Sequence, residues 1–160
     1  GISMKVSMLR KVILGVTFGV LSGALHAVSI EGYWKSIDDR TGEPLSLIKI
    51  AKEANGTYSG EIVHRYPNAA GYVLNTCSKC PPPYKDKPLV GLKILTGFKD
   101  EPNKPGHYID GTVLDAKSGG VYKGKAQVSA NNRQLRMRGY VGVSVFGRTN
   151  VWIRQNDGTP

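Results

Sequence analysis

From about residue 28 onward the chain alternates apolar and polar positions with a period of two, in short runs separated by turn residues. Eight such runs read as strands: 30–37, 45–52, 57–64, 89–98, 107–114, 121–129, 133–141 and 145–154. In the third, Tyr58, Gly60, Ile62 and His64 share one face, opposite Thr57, Ser59, Glu61 and Val63. In the fourth, Val90, Leu92, Ile94 and Thr96 alternate with Leu89, Gly91, Lys93 and Leu95. The sixth sets Tyr122, Gly124, Ala126 and Val128 against Lys123, Lys125 and Gln127. One apolar face per strand is the mark of a sheet that buries a single side. Asn55-Gly56 between two runs is a tight-hairpin signal, because its primed turn needs positive φ. The pattern predicts an all-β fold: a single antiparallel up-and-down barrel of about eight strands.

Such a barrel has a polarity that can be counted. Successive connections alternate between its ends, so the first, third, fifth and seventh share one rim. These are residues 38–44, the long 65–88 segment, 115–120 and the turn near Gly142. A connection as long as the third, with no structure of its own, is usually functional or disordered, and barrel mouths are usual ligand sites. The rim residues offered to a ligand are His64, Tyr66, Tyr72, Asp115, Tyr122, Arg138 and Tyr140. Each has a plainer role beside it. Asp115 and Ser118 suit turns whose side chains bond the local backbone. Tyr122 and Tyr140 suit a wall with a wet hydroxyl. Arg138 can point into solvent or pair with an acid, and His64 can simply end a strand.

The segment before the barrel has another character. Gly1-Ile2-Ser3 precedes Met4 and reads as an expression scar. Residues 4–27 read as a secretory signal peptide: a basic start (Lys5, Arg10, Lys11), an apolar run from Val12 to Leu25, then small residues. Cleavage is expected after Ala27, with Ala24 as the alternative, which leaves the barrel domain as residues 28–160. The expected address is the periplasm or the outside of the cell.

Charge adds one expectation. The chain carries +10, and Lys5, Arg10 and Lys11 are the three charges of the leader, so +7 remains without it. That surplus favours an anionic envelope surface as a partner, although the basic residues are scattered and suit a solvated surface equally. Nucleic acid is not an expected partner of an exported protein.

Cys77-Ser78-Lys79-Cys80 would meet an oxidising compartment and is read as a structural disulfide. The alternatives are weaker on chemistry. Pro81-Pro82-Pro83 disfavours the helix that a redox-active pair needs, and a zinc site would have to recruit the distant His64 and His107. No cofactor or metal ion is implied. No Gly-x-Ser-x-Gly elbow, paired-His motif or phosphate-cradling glycine loop occurs, so a non-catalytic protein is expected.

Several motifs together resemble a known family. They are Gly32-Tyr33-Trp34, Asp86-Lys87-Pro88-Leu89-Val90-Gly91, Asp115-Ala116-Lys117-Ser118-Gly119 with Tyr122-Lys123-Gly124, Arg138-Gly139-Tyr140-Val141-Gly142, and Gly147-Arg148-Thr149 with Trp152-Ile153-Arg154. The set is similar to the exported bacterial family named domain of unknown function 2147, over nearly the whole chain after the leader. Ala116 departs from it, since a proline commonly follows that Asp. The resemblance implies a lipocalin-like, calycin-related barrel without implying a reaction. Gly32 and Trp34 resemble the lipocalin first-strand signature, in which the Trp plugs the closed end beneath a last-strand Arg. By that likeness, and by the strand order, Trp34 and Arg154 should meet there in a structural role.

Two functions remain in view. One is a carrier of a small, mainly apolar molecule. The other is a structural or interaction protein of the bacterial envelope whose barrel is filled by side chains. An interior of about 300 Å³ or more separates the first from the second.

Overall fold

The computed structural model describes residues 28–160; the expected expression scar and signal peptide lie outside the described residues. Eight strands follow one another: β1 (Gly32–Ile37), β2 (Pro44–Lys52), β3 (Tyr58–Arg65), β4 (Lys93–Asp100), β5 (His107–Leu114), β6 (Val121–Val128), β7 (Gln134–Tyr140) and β8 (Gly147–Gln155). Each pairs antiparallel with the next, and β8 closes on β1 through Trp34 opposite Arg154. Closure leaves no sheet edge unpaired, which is how a small all-β domain avoids templating aggregation.

Two departures from simple alternation shape the mouth. Residues 89–92 are not part of β4 but the return of the long loop. Leu89 and Leu92 are buried while Val90 is exposed; Ile62 N–H donates to Leu92 O at 3.0 Å and Gly91 N–H donates to Ile62 O at 2.8 Å. The segment is apolar because the loop packs on the barrel, with Leu89 and Leu92 three residues apart and not on one strand face. The second departure is a bulge. Leu47 stands opposite His64, but the next residue, Ile48, stands opposite Ile62, so Val63 is one residue too many on β3. An extra residue reverses the side-chain alternation beyond it. His64 is thereby turned to the outer face and Arg65 to the inner one, a correction to the shared face expected for Tyr58 through His64.

The closed end is packed solid. Trp34 is wholly buried, with Ile50, Tyr58, Phe98, Tyr108 and Leu135 in the same cluster. Its Nε1–H donates to Ile30 O at 2.8 Å, and the Ile30 N–H donates to the Tyr108 hydroxyl at 3.1 Å. The Arg154 guanidinium lies 4.1 Å from the Trp34 ring centre. Its Nε donates to Asn132 O at 2.6 Å and its Nη1 to Glu31 O at 2.8 Å, while Nη2 reaches Ser29 O and the Asn132 side chain. One cation thus ties the N-terminal approach to the β6–β7 turn.

Near this plug, the Tyr58 and Tyr108 rings meet edge to face at 5.2 Å. Burial, with the nearby Asp100 carboxylate second, pushes the Tyr58 hydroxyl up to about 12. Its unfolded value is about 10, so the folded state holds this proton more tightly. The resulting stability is complete below about pH 10 and is lost as pH rises towards 12. Urea midpoints measured across that interval should fall, and Tyr58→Phe should fall less steeply. An unchanged slope in the variant would remove Tyr58 as the cause.

Candidate functional site

The connections β1–β2, β3–β4, β5–β6 and β7–β8 gather at the end away from Trp34, as the counting requires. They surround a cavity of about 920 Å³ that opens between them. Ile48, Ile94, Val113, Leu114, Met137 and Trp152 supply its apolar wall. Met137 is the plain case of alternation, an inward position between Arg136 and Arg138, whereas Trp152 stands between the more exposed Val151 and Ile153.

The rim is built from short cross-links. The Cys77–Cys80 disulfide forms, and both cysteines are buried. Backbone bonds from Cys77 N–H to Lys87 O (2.9 Å) and from Asp86 N–H to Cys77 O (3.0 Å) fold the long loop back on itself. That loop rests on the β5–β6 turn at Gly119, where φ is +79° and an added Cβ would stand 1.8 Å from Lys79 O. Lys117 meets Asp38 at 3.8 Å and Arg148 meets Asp39 at 3.3 Å, joining two turns and the start of β8 around the mouth. A hydrogen bond from the Arg40 N–H is the main cause that holds the Asp38 carboxyl below its ordinary pKa. Beside these polar links, Val141, Val143, Val145 and Phe146 of the β7–β8 turn form an exposed apolar lip.

Of the residues expected at the rim, Tyr66, Tyr72, Asp115, Tyr122 and Tyr140 border the cavity. Tyr72 is well exposed there. Asp115 commits its carboxylate to its own turn, accepting from Lys117 N–H at 3.0 Å and the Ser118 hydroxyl at 2.9 Å. Two expected residues do not line the cavity. His64 faces outward because of the bulge, with its ring edge-on to Tyr66 at 4.7 Å. Arg138 lies on the outer face of β7, since Leu135 and Met137 point inward. Its Nε donates to Ser144 O at 2.7 Å and its Nη1 to Thr149 Oγ1 at 2.8 Å, bracing the last hairpin.

Among the cavity residues outside the expected set, one is a partly buried cation of β3. Arg65, turned inward by the bulge, lines the cavity and reaches the Ser46 hydroxyl at 2.6 Å through Nη1 and Leu74 O at 3.3 Å through Nε. Ser46 is itself buried; its N–H donates to Ser36 Oγ at 3.1 Å and its carbonyl accepts from the Ser36 hydroxyl at 3.3 Å. No turn residue or glycine at Val63 marks the bulge in the sequence, so nothing there signals Arg65.

The family model described as "Uncharacterized protein conserved in bacteria (DUF2147)" matches residues 32–154. No curated protein sequence matches. Among solved structures, protein HP1028 from the human pathogen Helicobacter pylori is described as belonging to the lipocalin family. It aligns with a TM-score of 0.67 at 17% identity, covering 81% of this chain and 85% of its own. At that identity the likeness is one of fold: a closed lipocalin-like barrel.

Proposed function

The chain belongs to the DUF2147 family of bacterial proteins, and from that premise we propose that it is an exported, non-catalytic carrier of a small, mainly apolar molecule held in the open half of its barrel. One observation carries the reading. The cavity of about 920 Å³ is well above the roughly 300 Å³ at which ligand pockets begin, and more of its lining is apolar than polar. The alternative, a barrel filled by side chains, describes only the half around Trp34. Apolar walls bind by removing apolar ligand surface from water, at about 25 cal/mol per Å². The basic leader-like segment before residue 28 and the Cys77–Cys80 disulfide support export to an oxidising compartment. The +7 surplus gives an anionic envelope surface as the accompanying partner.

Native mass spectrometry of protein purified from the periplasm of its own cells tests this directly. A small-molecule adduct that disappears on denaturation is expected, on a polypeptide that starts at Val28 or Leu25. Protein found only without adduct, after gentle purification, would count against the carrier. A polypeptide starting at Met4 would count against export.

A further inference from the structure

The chemistry of the wall says more about the ligand, on the premise that the cavity holds one. Arg40, Lys79, Lys117 and Arg148 also bring cations to the cavity lining, but Arg65 brings a partly buried guanidinium whose position depends on one inserted residue of β3. Among the described residues the ion pairs are Lys93–Glu53, Lys104–Glu101, Lys117–Asp38 and Arg148–Asp39, and Arg65 is in none of them. Burial, with no charged neighbour contributing, pulls its pKa below the ordinary value. A cation taken from water without an anion is costly unless something completes it.

Its protein bonds leave donors over. Nε serves Leu74 O and Nη1 serves Ser46 Oγ, while Nη2 makes no hydrogen bond to any of the described residues. The Ser46 and Leu74 contacts hold the guanidinium plane, so Nη2 is presented without further loss of side-chain freedom. Tyr66 also borders the cavity, but its ring lies against His64 and Lys35 and its hydroxyl is buried, without a partner among the described residues, so it offers the cavity no donor. Of the three acids that border the same space, Asp38 is engaged with Lys117 and Asp115 within its own turn, and Glu43 makes no ion pair with Arg65.

We propose that the ligand is an amphiphile with a carboxylate head, its apolar chain against the Ile48–Met137 wall and its carboxylate on Arg65. A planar carboxylate is the natural complement of a guanidinium edge, and a charge-assisted bond outweighs a neutral one. Arg65 is then a specificity residue: the apolar wall takes any chain of suitable length, and Arg65 selects the charged head.

The test compares medium and long straight-chain carboxylic acids with their methyl esters, as displacers of the neutral fluorophore N-phenyl-1-naphthylamine from the folded protein. The acids should bind roughly ten- to a hundred-fold tighter than the esters. Arg65→Met should remove that preference while leaving ester binding unchanged, and Arg65→Lys should keep part of it. Where Arg65→Met proves too unstable, Ser46→Ala should reduce the preference by freeing the guanidinium. Acid and ester binding alike in the native protein, or probe uptake that neither series displaces, overturns the role of Arg65 and leaves the carrier standing. No uptake of the probe or of either series overturns the carrier reading itself, and the carboxylate site with it.

Discussion

Truncating Trp34 to alanine should cost about 3–5 kcal/mol, the loss expected when a fully buried aromatic ring leaves a cavity behind. The figure is large against the 5–15 kcal/mol that holds most domains together, so the variant should sit near its unfolding threshold at ordinary temperature. Three interactions are lost together. The ring is wholly buried among Ile50, Tyr58, Phe98 and Tyr108. Its Nε1–H satisfies Ile30 O at 2.8 Å, and its face carries the Arg154 guanidinium at 4.1 Å. The last contact is worth about 0.5–2 kcal/mol, depending on how dry the site is. Urea denaturation of Trp34→Ala, Arg154→Met and the double variant separates these parts. A coupling within that range identifies the cation–ring contact as energetic. A coupling near zero assigns Arg154 wholly to its carbonyl and Asn132 partners. Trp34→Phe, which keeps most of the burial but loses the indole N–H, should fall between native and alanine. A cost below about 1 kcal/mol for Trp34→Ala would mean that the closed end does not depend on its plug.

The meeting of Trp34 and Arg154 was legible before any coordinates, for a topological reason. An even number of antiparallel strands returns the chain to the end where it began, and closure then makes the first and last strands neighbours. The same counting placed the 65–88 loop, the Asp115 turn and the Gly142 turn on one rim. Strand alternation was equally legible in β6, where Lys123 and Lys125 separate Tyr122, Gly124 and Ala126. It was available in β7 as well. Leu135 and Met137 mark the inner face, and Arg138 must then point outward, as it does.

What escaped is of a different kind. The bulge at Val63 uses an ordinary β-branched residue without a special backbone demand, so no residue type betrays it. Every face assignment beyond it is reversed, which is why His64 and Arg65 exchanged roles. Residues 89–92 mislead for the opposite reason. Leu89 and Leu92 are apolar because the loop lies on the barrel, and burial outside a strand makes a run apolar just as burial within one does. The rim loop's docking also depends on a contact between backbone atoms that are distant in sequence, between Lys79 and Gly119, which periodicity cannot reveal.

That contact gives the second large effect, expected for Gly119→Ala. Two costs fall on the same atom. The residue sits at φ +79°, where an L side chain costs roughly 1–2 kcal/mol. The new methyl would also stand 1.8 Å from the carbonyl oxygen of Lys79. The obstructing atom is backbone, inside the ring closed by Cys77 and Cys80, so no side-chain rotation relieves the clash. Either the β5–β6 turn or the disulfide loop must leave its place on the rim. Gly142→Ala supplies the control, because its φ is +73° with nothing within 4 Å of the added methyl. It carries the conformational cost alone and should lose only about 1–2 kcal/mol. Gly119→Ala should lose clearly more, and amide exchange in residues 77–92 should quicken while the strands around Trp34 keep their protection. Because Ser78 and Lys79 border the cavity, a bound amphiphile should also leave the Gly119 variant faster than the Gly142 variant. Equal stability losses, with unchanged exchange in the loop, would show that the loop does not depend on this contact. Faster exchange and faster release together would identify the disulfide loop as the part of the wall that retains the ligand.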